Sequence, residues 1–324
     1  MKFSILGPGG IAEKMAAAVK GLEGVEAYAV ASRNYERARA FAKEWGFEKA
    51  YGSYEEMLED PQTELVYVAT PHSHHYQYAK MCLEHGKHVL VEKSFTVNAM
   101  QAEELIRISE EKHLLLAEAI WTRYMPSRKM IDDLLKSNMI GKTTSLTANL
   151  GYPLGHVERM QNPQLAGGAL LDLGVYTLNF ALMVFDGAIK EVHSSAVMSP
   201  EGIDWMDSIT LVFEDGRVAD LHSNMLAATN REGAVFGEKG YLEVQNINNC
   251  EEIRVYNEDH QLQAHYPIPE QINGYEYEVL ACVKAIREGK YECPEMPHDE
   301  IIRVMRLMDQ IREIWGMKYP MECR

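Results

Sequence analysis

The stretch KFSILGPGGIAEKMAAAVK, from Lys2 to Lys20, leaves few ways to fold. A short apolar run ends in Gly7, Gly9 and Ala12 at G-x-G-x-x-A spacing, and an amphipathic run follows directly. A strand that turns through glycines into a helix is the opening βα unit of a parallel sheet. In that unit Gly7 makes the tight turn, Gly9 lets a pyrophosphate approach the backbone, and Ala12 packs the helix on the sheet. Gly10 and Ile11 open the helix, whose first N–H groups and dipole favour a phosphate. The motif in this context predicts dinucleotide binding.

The first third continues the alternation. Strands are expected at VEAYAVAS, ELVYVAT, HVLVEK and LLLAEA, and helices at ERARAFAKEW, HHYQYAKMCLEH and NAMQAEELIRISEEKH, as in successive βαβ units. The alternation stops near Ala119. After a helix at SRKMIDDLLKSN come strand-like segments without intervening helices, among them SITLVFEDGRVADLHSNM, where Asp215-Gly216 marks a hairpin. The chain is therefore read as α/β: an N-terminal doubly wound parallel sheet of Rossmann type over residues 1–120, then an α+β domain with a mostly antiparallel sheet over 121–324. Two domains also suit a length of 324 residues.

The formal net charge of -16 argues against nucleic acid or an anionic membrane as partner, since both require a basic footprint. Five scattered cysteines, an odd number without C-x-x-C spacing, read as reduced thiols. Together with an N-terminus that enters a strand at once and the lack of any uninterrupted apolar run of roughly 18 residues, they lead to an expected cytoplasmic location.

About 20 residues after the glycine motif, an NAD enzyme keeps an acid for the ribose diol. Here Ser32 and Arg33 occupy that place, and a guanidinium pairs with a 2'-phosphate that a carboxylate would repel. NADP is the expected cofactor, with NAD second, and Arg37 is a candidate second contact. TPHSHHYQYA offers Thr70 and Pro71 to the nicotinamide end, with His72 and His75 beside them at an exposed helix start. Adjacent His74 and His75 diverge, so no metal site is expected there.

GGALLDLGVYTLNF, from Gly167 to Phe180, is apolar nearly all round, yet it carries Asp172 and Tyr176. At i,i+4 on a helix they share one face, and neither is buried cheaply without a partner. Gly174 between them gives room for close packing. Glu92 and Lys93 stand at the carboxyl end of HVLVEK, where doubly wound sheets bind ligands. A phenol is a poor base at neutral pH unless an ammonium favours its phenolate. An ammonium such as that of Lys93, brought beside Tyr176, would make a general acid/base suited to hydride chemistry on an alcohol, and Asp172 could orient Lys93 or a substrate hydroxyl. Trp121, Arg123 and Tyr124, at the start of the second domain, suit either stacking and bonding of a sugar or diol ring or packing between domains. His156 and Arg159 are further candidate substrate contacts.

Taken together, GPGGIA, GKHVLVEKS, AEAIWTRYMPS and GGALLDLGVYTLNF resemble the glucose-fructose oxidoreductase, inositol dehydrogenase and rhizopine catabolism family (Gfo/Idh/MocA), in particular its dihydrodiol and D-xylose dehydrogenase branch. The resemblance implies a Rossmann domain followed by an open, mostly antiparallel sheet, with the active site between them. It places the family's E-K-P lysine on Lys93 and its D-x-x-x-H/Y pair on Asp172 and Tyr176, with Ser94 standing where proline is usual. It implies an NADP-dependent oxidoreductase of a sugar, polyol or cyclic vicinal diol that forms a homodimer through the C-terminal sheet. A glycosidase with a transient redox step, or an NADP-binding redox sensor, are the competing readings; Ser32, Arg33 and Tyr176 weigh against the first, and the complete Lys93, Asp172 and Tyr176 set against the second.

Overall fold

In the computed structural model, which describes residues 1–323, the chain falls into two compact units. The first comprises Met1–Tyr124 and Gln271–Met305; the second comprises Met125–Glu270 and the residues from Arg306 onward. The expected single crossing near residue 120 therefore becomes a partition in which the chain returns to the first unit.

In the first unit β1 (Lys2–Leu6), α1 (Gly10–Lys20), β2 (Glu26–Ala31), α2 (Tyr35–Trp45), β3 (Lys49–Tyr51), α3 (Tyr54–Glu59), β4 (Leu65–Val68), α4 (His72–Glu84), β5 (His88–Glu92), α5 (Ala99–Lys112) and β6 (Leu116–Ala119) alternate. The six strands are all parallel, in the order β3-β2-β1-β4-β5-β6. That is the doubly wound order, whose switch point lies between β1 and β4. β4 and the last four residues of β1, β2 and β5 are buried, as a sheet covered on both faces requires. The sequence reading missed β3 and α3, which are too short to display a period.

The second unit contains α6 (Pro126–Lys136), β7 (Thr143–Gly151), α7 (Glu158–Gln161), α8 (Val175–Val184), β8 (Ile189–Met198), β9 (Asp204–Phe213), β10 (Val218–Asn224), β11 (Gly233–Gly237), β12 (Gly240–Gln245), β13 (Glu252–Asn257) and β14 (Leu262–Pro267). Its eight strands run β14-β13-β12-β11-β7-β10-β9-β8, antiparallel throughout except for the β7–β10 pair. The hairpin at Asp215-Gly216 joins β9 to β10, with Gly216 at φ +89°. By length and composition the stretch Pro163–Val184 would suffice to cross a membrane, but 89% of its most apolar window is buried inside the protein. It is a core element, with every residue from Ala166 to Leu182 buried.

The last two helices are α9 (Glu276–Arg287) and α10 (His298–Ile314). α9 packs on α1 in the first unit, where Asn273 Nδ2 also donates to the Lys14 carbonyl at 2.8 Å. The interior of this unit holds carboxyls as well as hydrocarbon. Glu118 on β6 is buried and accepts from the Phe95 amide at 3.0 Å; burial pushes its pKa up to about 7. An acid whose folded pKa is raised stabilises the fold fully below its ordinary value, and that contribution is lost as pH rises through the folded value. The contribution of Glu118 to stability should therefore fall between pH 5 and pH 8. Glu118→Gln, which keeps an oxygen for Phe95, should lessen that fall by up to about 3 kcal/mol of stability. Equal pH slopes for the two proteins by calorimetry would refute this.

Candidate functional site

At the carboxyl edge of the first sheet, the turn after β1 is held from both sides. The Gly7 amide donates to Ala31 at the end of β2, and the Ala69 amide, just past β4, donates to Leu6. Gly7 has φ +98°, and a Cβ there would lie 3.1 Å from the Ala69 carbonyl oxygen and 3.2 Å from Thr70 Cγ2. No other residue fits this turn without strain. Beyond it the surface opens: a Cβ at Gly9 or Gly10 would meet nothing within 4 Å, and no side chain caps α1 at Gly9. Ile11 follows on the first turn of α1, and Ala12 faces the core.

Ser32 and Arg33 follow β2, Ser32 buried and Arg33 exposed. Burial lowers the pKa of His74, with the Arg33 guanidinium acting in the same direction, and raises that of Tyr54 against the opposing pull of Arg33. Arg37 does more than was expected of it. Its Nη2 donates to the Pro8 carbonyl at 2.7 Å, tying the start of α2 to the glycine turn.

Next along the edge, Thr70 and Pro71 lead into α4. His72 and His75 are buried, not at an exposed helix start as the sequence suggested. Each His75 ring nitrogen lies 2.7 Å from a backbone carbonyl oxygen, Nε2 from Thr70 and Nδ1 from Ser94. Burial lowers the ring's pKa to about 4, against the opposing pull of the two carbonyls. Neutral at pH 7, it offers one N–H to two acceptors that hold adjacent loops in place.

The second of those loops carries Lys93. Glu92 is buried, accepts from the Tyr67 hydroxyl through Oε1, and takes the Lys93 amide on Oε2 at 3.2 Å. The peptide bond from Lys93 to Ser94 is cis. With Phe95 bound by Glu118, the backbone around Lys93 is anchored by two carboxyls. Of these, Glu118 was not anticipated, although an acid within the apolar run LLLAEA was a visible signal.

Trp121, Arg123 and Tyr124 are all buried in this first unit rather than at the start of the second. Trp121 stacks on Tyr275 at 4.1 Å between ring centroids, Arg123 pairs with Glu300 at 3.0 Å, and the Tyr124 hydroxyl donates to the Glu118 carbonyl at 2.8 Å. All three contacts lie within the first unit.

In the second unit Asp172 and Tyr176 do not share one regular α-helix. Leu170–Gly174 forms a π turn and α8 follows from Val175; such turns recur at functional positions. Asp172 is buried and takes both arms of Arg159, Nη1 to Oδ1 at 3.1 Å and Nη2 to Oδ2 at 3.3 Å. Tyr176 is buried on the first turn of α8. The other polar residues of the run bond to backbone: Thr177 Oγ1 donates to Gly174 and Asn179 Nδ2 to Val175. Gly174 is indeed a close-packing position, since a Cβ there would lie 3.0 Å from Leu170 Cδ1 and 3.2 Å from Ser223 Oγ. His156 is exposed in the loop before α7.

The first unit thus collects the residues expected to hold a dinucleotide along one edge, and the second collects Asp172, Tyr176 and Arg159. The edge fits such a cofactor. A glycine turn admits backbone approach, an uncapped helix start faces open space, and Thr70 Oγ1 is buried without a hydrogen-bond partner. These features define a dinucleotide-dependent oxidoreductase.

The family model described as "Oxidoreductase family, NAD-binding Rossmann fold" matches residues 1–119, and the GFO/IDH/MocA C-terminal domain matches residues 129–243. The chain is 32% identical over 330 residues to trans-1,2-dihydrobenzene-1,2-diol dehydrogenase of Xenopus laevis, covering 98% of this chain and 99% of that one. It is 33% identical over 304 residues to the Homo sapiens protein of the same name, covering 91% and 90%. Among solved structures, the 3-ketoreductase KijD10 from Actinomadura kijaniata, in complex with TDP-benzene and NADP, superposes with a TM-score of 0.86 at 25% identity over 96% of each chain. The aldose-aldose oxidoreductase from Caulobacter crescentus shares the fold with a TM-score of 0.87 at 21% identity, covering 97% of this chain and 96% of that one. The chain belongs to the Gfo/Idh/MocA family and is an NAD(P)-dependent oxidoreductase acting on CH–OH groups.

The Gly7 turn yields a direct test. Gly7→Ala should destabilise the protein by about 1–3 kcal/mol, because φ +98° and the Ala69 carbonyl both oppose a methyl group. It should also abolish most of any thermal stabilisation by an added nicotinamide dinucleotide. An unchanged melting temperature with and without cofactor would show that the turn tolerates a side chain.

Proposed function

We propose that the protein is an NADP-dependent dehydrogenase of a small carbohydrate or cyclic vicinal diol, with Tyr176 as general acid/base assisted by Lys93. The observation that carries the reading is a buried phenol beside a π turn, in a chain that aligns along nearly its whole length with trans-1,2-dihydrobenzene-1,2-diol dehydrogenases. KijD10, bound to NADP, adds support for the phosphorylated cofactor.

Gly7, Gly9, Gly10, Ile11 and Ala12 hold the pyrophosphate through backbone amides at the start of α1. Ser32 and Arg33 receive the 2'-phosphate, while Arg37 steadies the glycine turn through Pro8 and adds positive charge beside it. Thr70, Pro71, His72, His75 and Glu92 shape the nicotinamide end. A nicotinamide held there would supply reversible hydride transfer with the alcohol carbon. Tyr176 takes the hydroxyl proton as the C–H electron pair departs, and gives it back in the reverse direction. The Lys93 ammonium favours the phenolate. Asp172, its charge balanced by Arg159, orients a substrate hydroxyl or the Lys93 ammonium; Arg159 and His156 lie on the loop that precedes it.

A homodimer through the eight-stranded sheet and a cytoplasmic setting belong to the same proposal. Val197 on β8 and Leu262 on β14 are exposed apolar residues of that sheet, and all five cysteines are free thiols.

Two variants test the chemistry and the cofactor. With trans-1,2-dihydrobenzene-1,2-diol, aldoses and polyols followed at 340 nm, Tyr176→Phe should lower kcat by about 100-fold or more while NADP still binds. Wild-type turnover in that variant would remove Tyr176 from the mechanism. Arg33→Ala should raise KM for NADP about tenfold, the worth of one exposed charge-assisted pair, and leave KM for NAD unchanged; equal losses would overturn the cofactor assignment.

A further inference from the structure

Two acids that no part of the mechanism uses are buried against the π turn. Asp204 and Asp207 lie three residues apart on β9, a spacing that would send them to opposite faces of a regular strand. The register with β8 shifts at this point, Met198 pairing with Asp204 and Val197 with Met206, so the strand is bulged between them. A bulge re-aims side chains, and both carboxyls meet the same segment.

Asp204 holds its beginning. Its Oδ2 accepts from the Leu170 amide at 2.5 Å, at the first residue of the π turn. Its Oδ1 lies where a Cβ on Gly168 would overlap it, and Gly168 has φ +116°. Asp207 lies at its end: a Cβ on Gly174 would be 3.7 Å from Asp207 Oδ2 and 3.2 Å from Ser223 Oγ. Ser223 is the cross-strand neighbour of Asp207. It biases that carboxyl electrostatically without making a hydrogen bond of ordinary geometry to it. Gly167 closes the arrangement. A Cβ there would lie 2.6 Å from the Arg159 carbonyl oxygen, and its own carbonyl accepts from the Tyr319 hydroxyl at 2.7 Å. The backbone of Arg159 is thereby packed against the segment that carries Asp172.

We infer that Asp204 is a positioning residue: a buried acid on the bulged start of β9 that clamps the first residue of the Leu170–Gly174 turn, with Asp207 packed beside its last, and thereby sets where Asp172 and Tyr176 point. Both carboxyls are shifted upward by burial, Asp204 to about 7, so the pair does not present two full negative charges to the turn at neutral pH. A neutral side chain with one correctly placed oxygen is therefore enough for the clamp at Asp204. The catalytic consequence rests on the proposed role of Tyr176; the clamp itself does not.

The test separates the two. Hydrogen exchange of the apoprotein, followed by mass spectrometry on peptides covering residues 167–178, reads the clamp without substrate. Asp204→Ala should speed exchange in that segment by about tenfold or more while peptides of the first unit exchange as in wild type. Asp204→Asn, which retains an acceptor for the Leu170 amide, should restore most of the protection. In the 340 nm assay, Asp204→Ala should lower kcat by about 10- to 100-fold with KM for NADP unchanged, the effect of a misplaced acid/base, and Asp204→Asn should recover most of it. Wild-type exchange in Asp204→Ala overturns the clamp. If Asp204→Ala fails to fold, Asp204→Ser, whose shorter side chain does not reach the Leu170 amide, decides: support requires faster exchange within 167–178 alone, and a uniform change or none overturns the inference. Faster exchange in Asp204→Ala, combined with wild-type turnover in Tyr176→Phe, would uphold the clamp and sink the Tyr176 mechanism.

Discussion

The cost of taking a polar group out of water governs the second unit. From Ala166 to Leu182 the chain has no exposed residue, so each hydrophilic side chain in it needs a partner within the protein or must give up its charge. Some of these solutions stay within the segment and others reach different parts of the unit. Thr177 and Asn179 bond to their own helix, Asp172 is met by Arg159, and the Leu170 amide is met by Asp204. A helix that were merely apolar would be free to slide or rotate in its groove. The contacts to Arg159 and Asp204 are directional, and so they fix one register.

The first unit reaches the same end by other means. Its strands deliver their carboxyl ends to one edge, but the loops beyond have no ladder to hold them. Side chains substitute for it: Arg37 grips Pro8, His75 spans Thr70 and Ser94, Glu92 takes the Lys93 amide, and Glu118 takes that of Phe95. A lysine on a long flexible stem is a useful point charge only if its backbone is fixed, and here that backbone is bound on both sides.

What could be read from the sequence divides along the distance over which each signal acts. The glycine turn, the βα alternation and the β9–β10 hairpin are local patterns and appear in the structure where they were expected. β3 and α3 are local too, but shorter than one period of any pattern. The π turn escaped because the residues that form it satisfy an α-helix equally well; what selects it is contact with β9, more than 30 residues on. The contacts of Trp121 and Arg123 within the first unit were hidden for a related reason. Their partners Tyr275 and Glu300 are more than 150 residues away, and an amphipathic segment such as α9 does not declare which of two cores it will cover.

The pairing of Arg159 with Asp172 narrows the chemistry that can be assigned to the second unit. An isolated buried carboxylate would compete with a phenolate as the base and would oppose the formation of a second negative charge on Tyr176, four residues on. Held by both arms of a guanidinium, Asp172 is disfavoured as a proton acceptor and contributes little net charge to its surroundings. Its remaining capacity is directional: lone pairs on a fixed carboxylate that can orient a donor. Arg159 is itself partly exposed, which leaves the pair in touch with solvent on one side. In the function we propose, proton transfer falls to the phenol, and the carboxylate's part is to orient the hydroxyl presented to it.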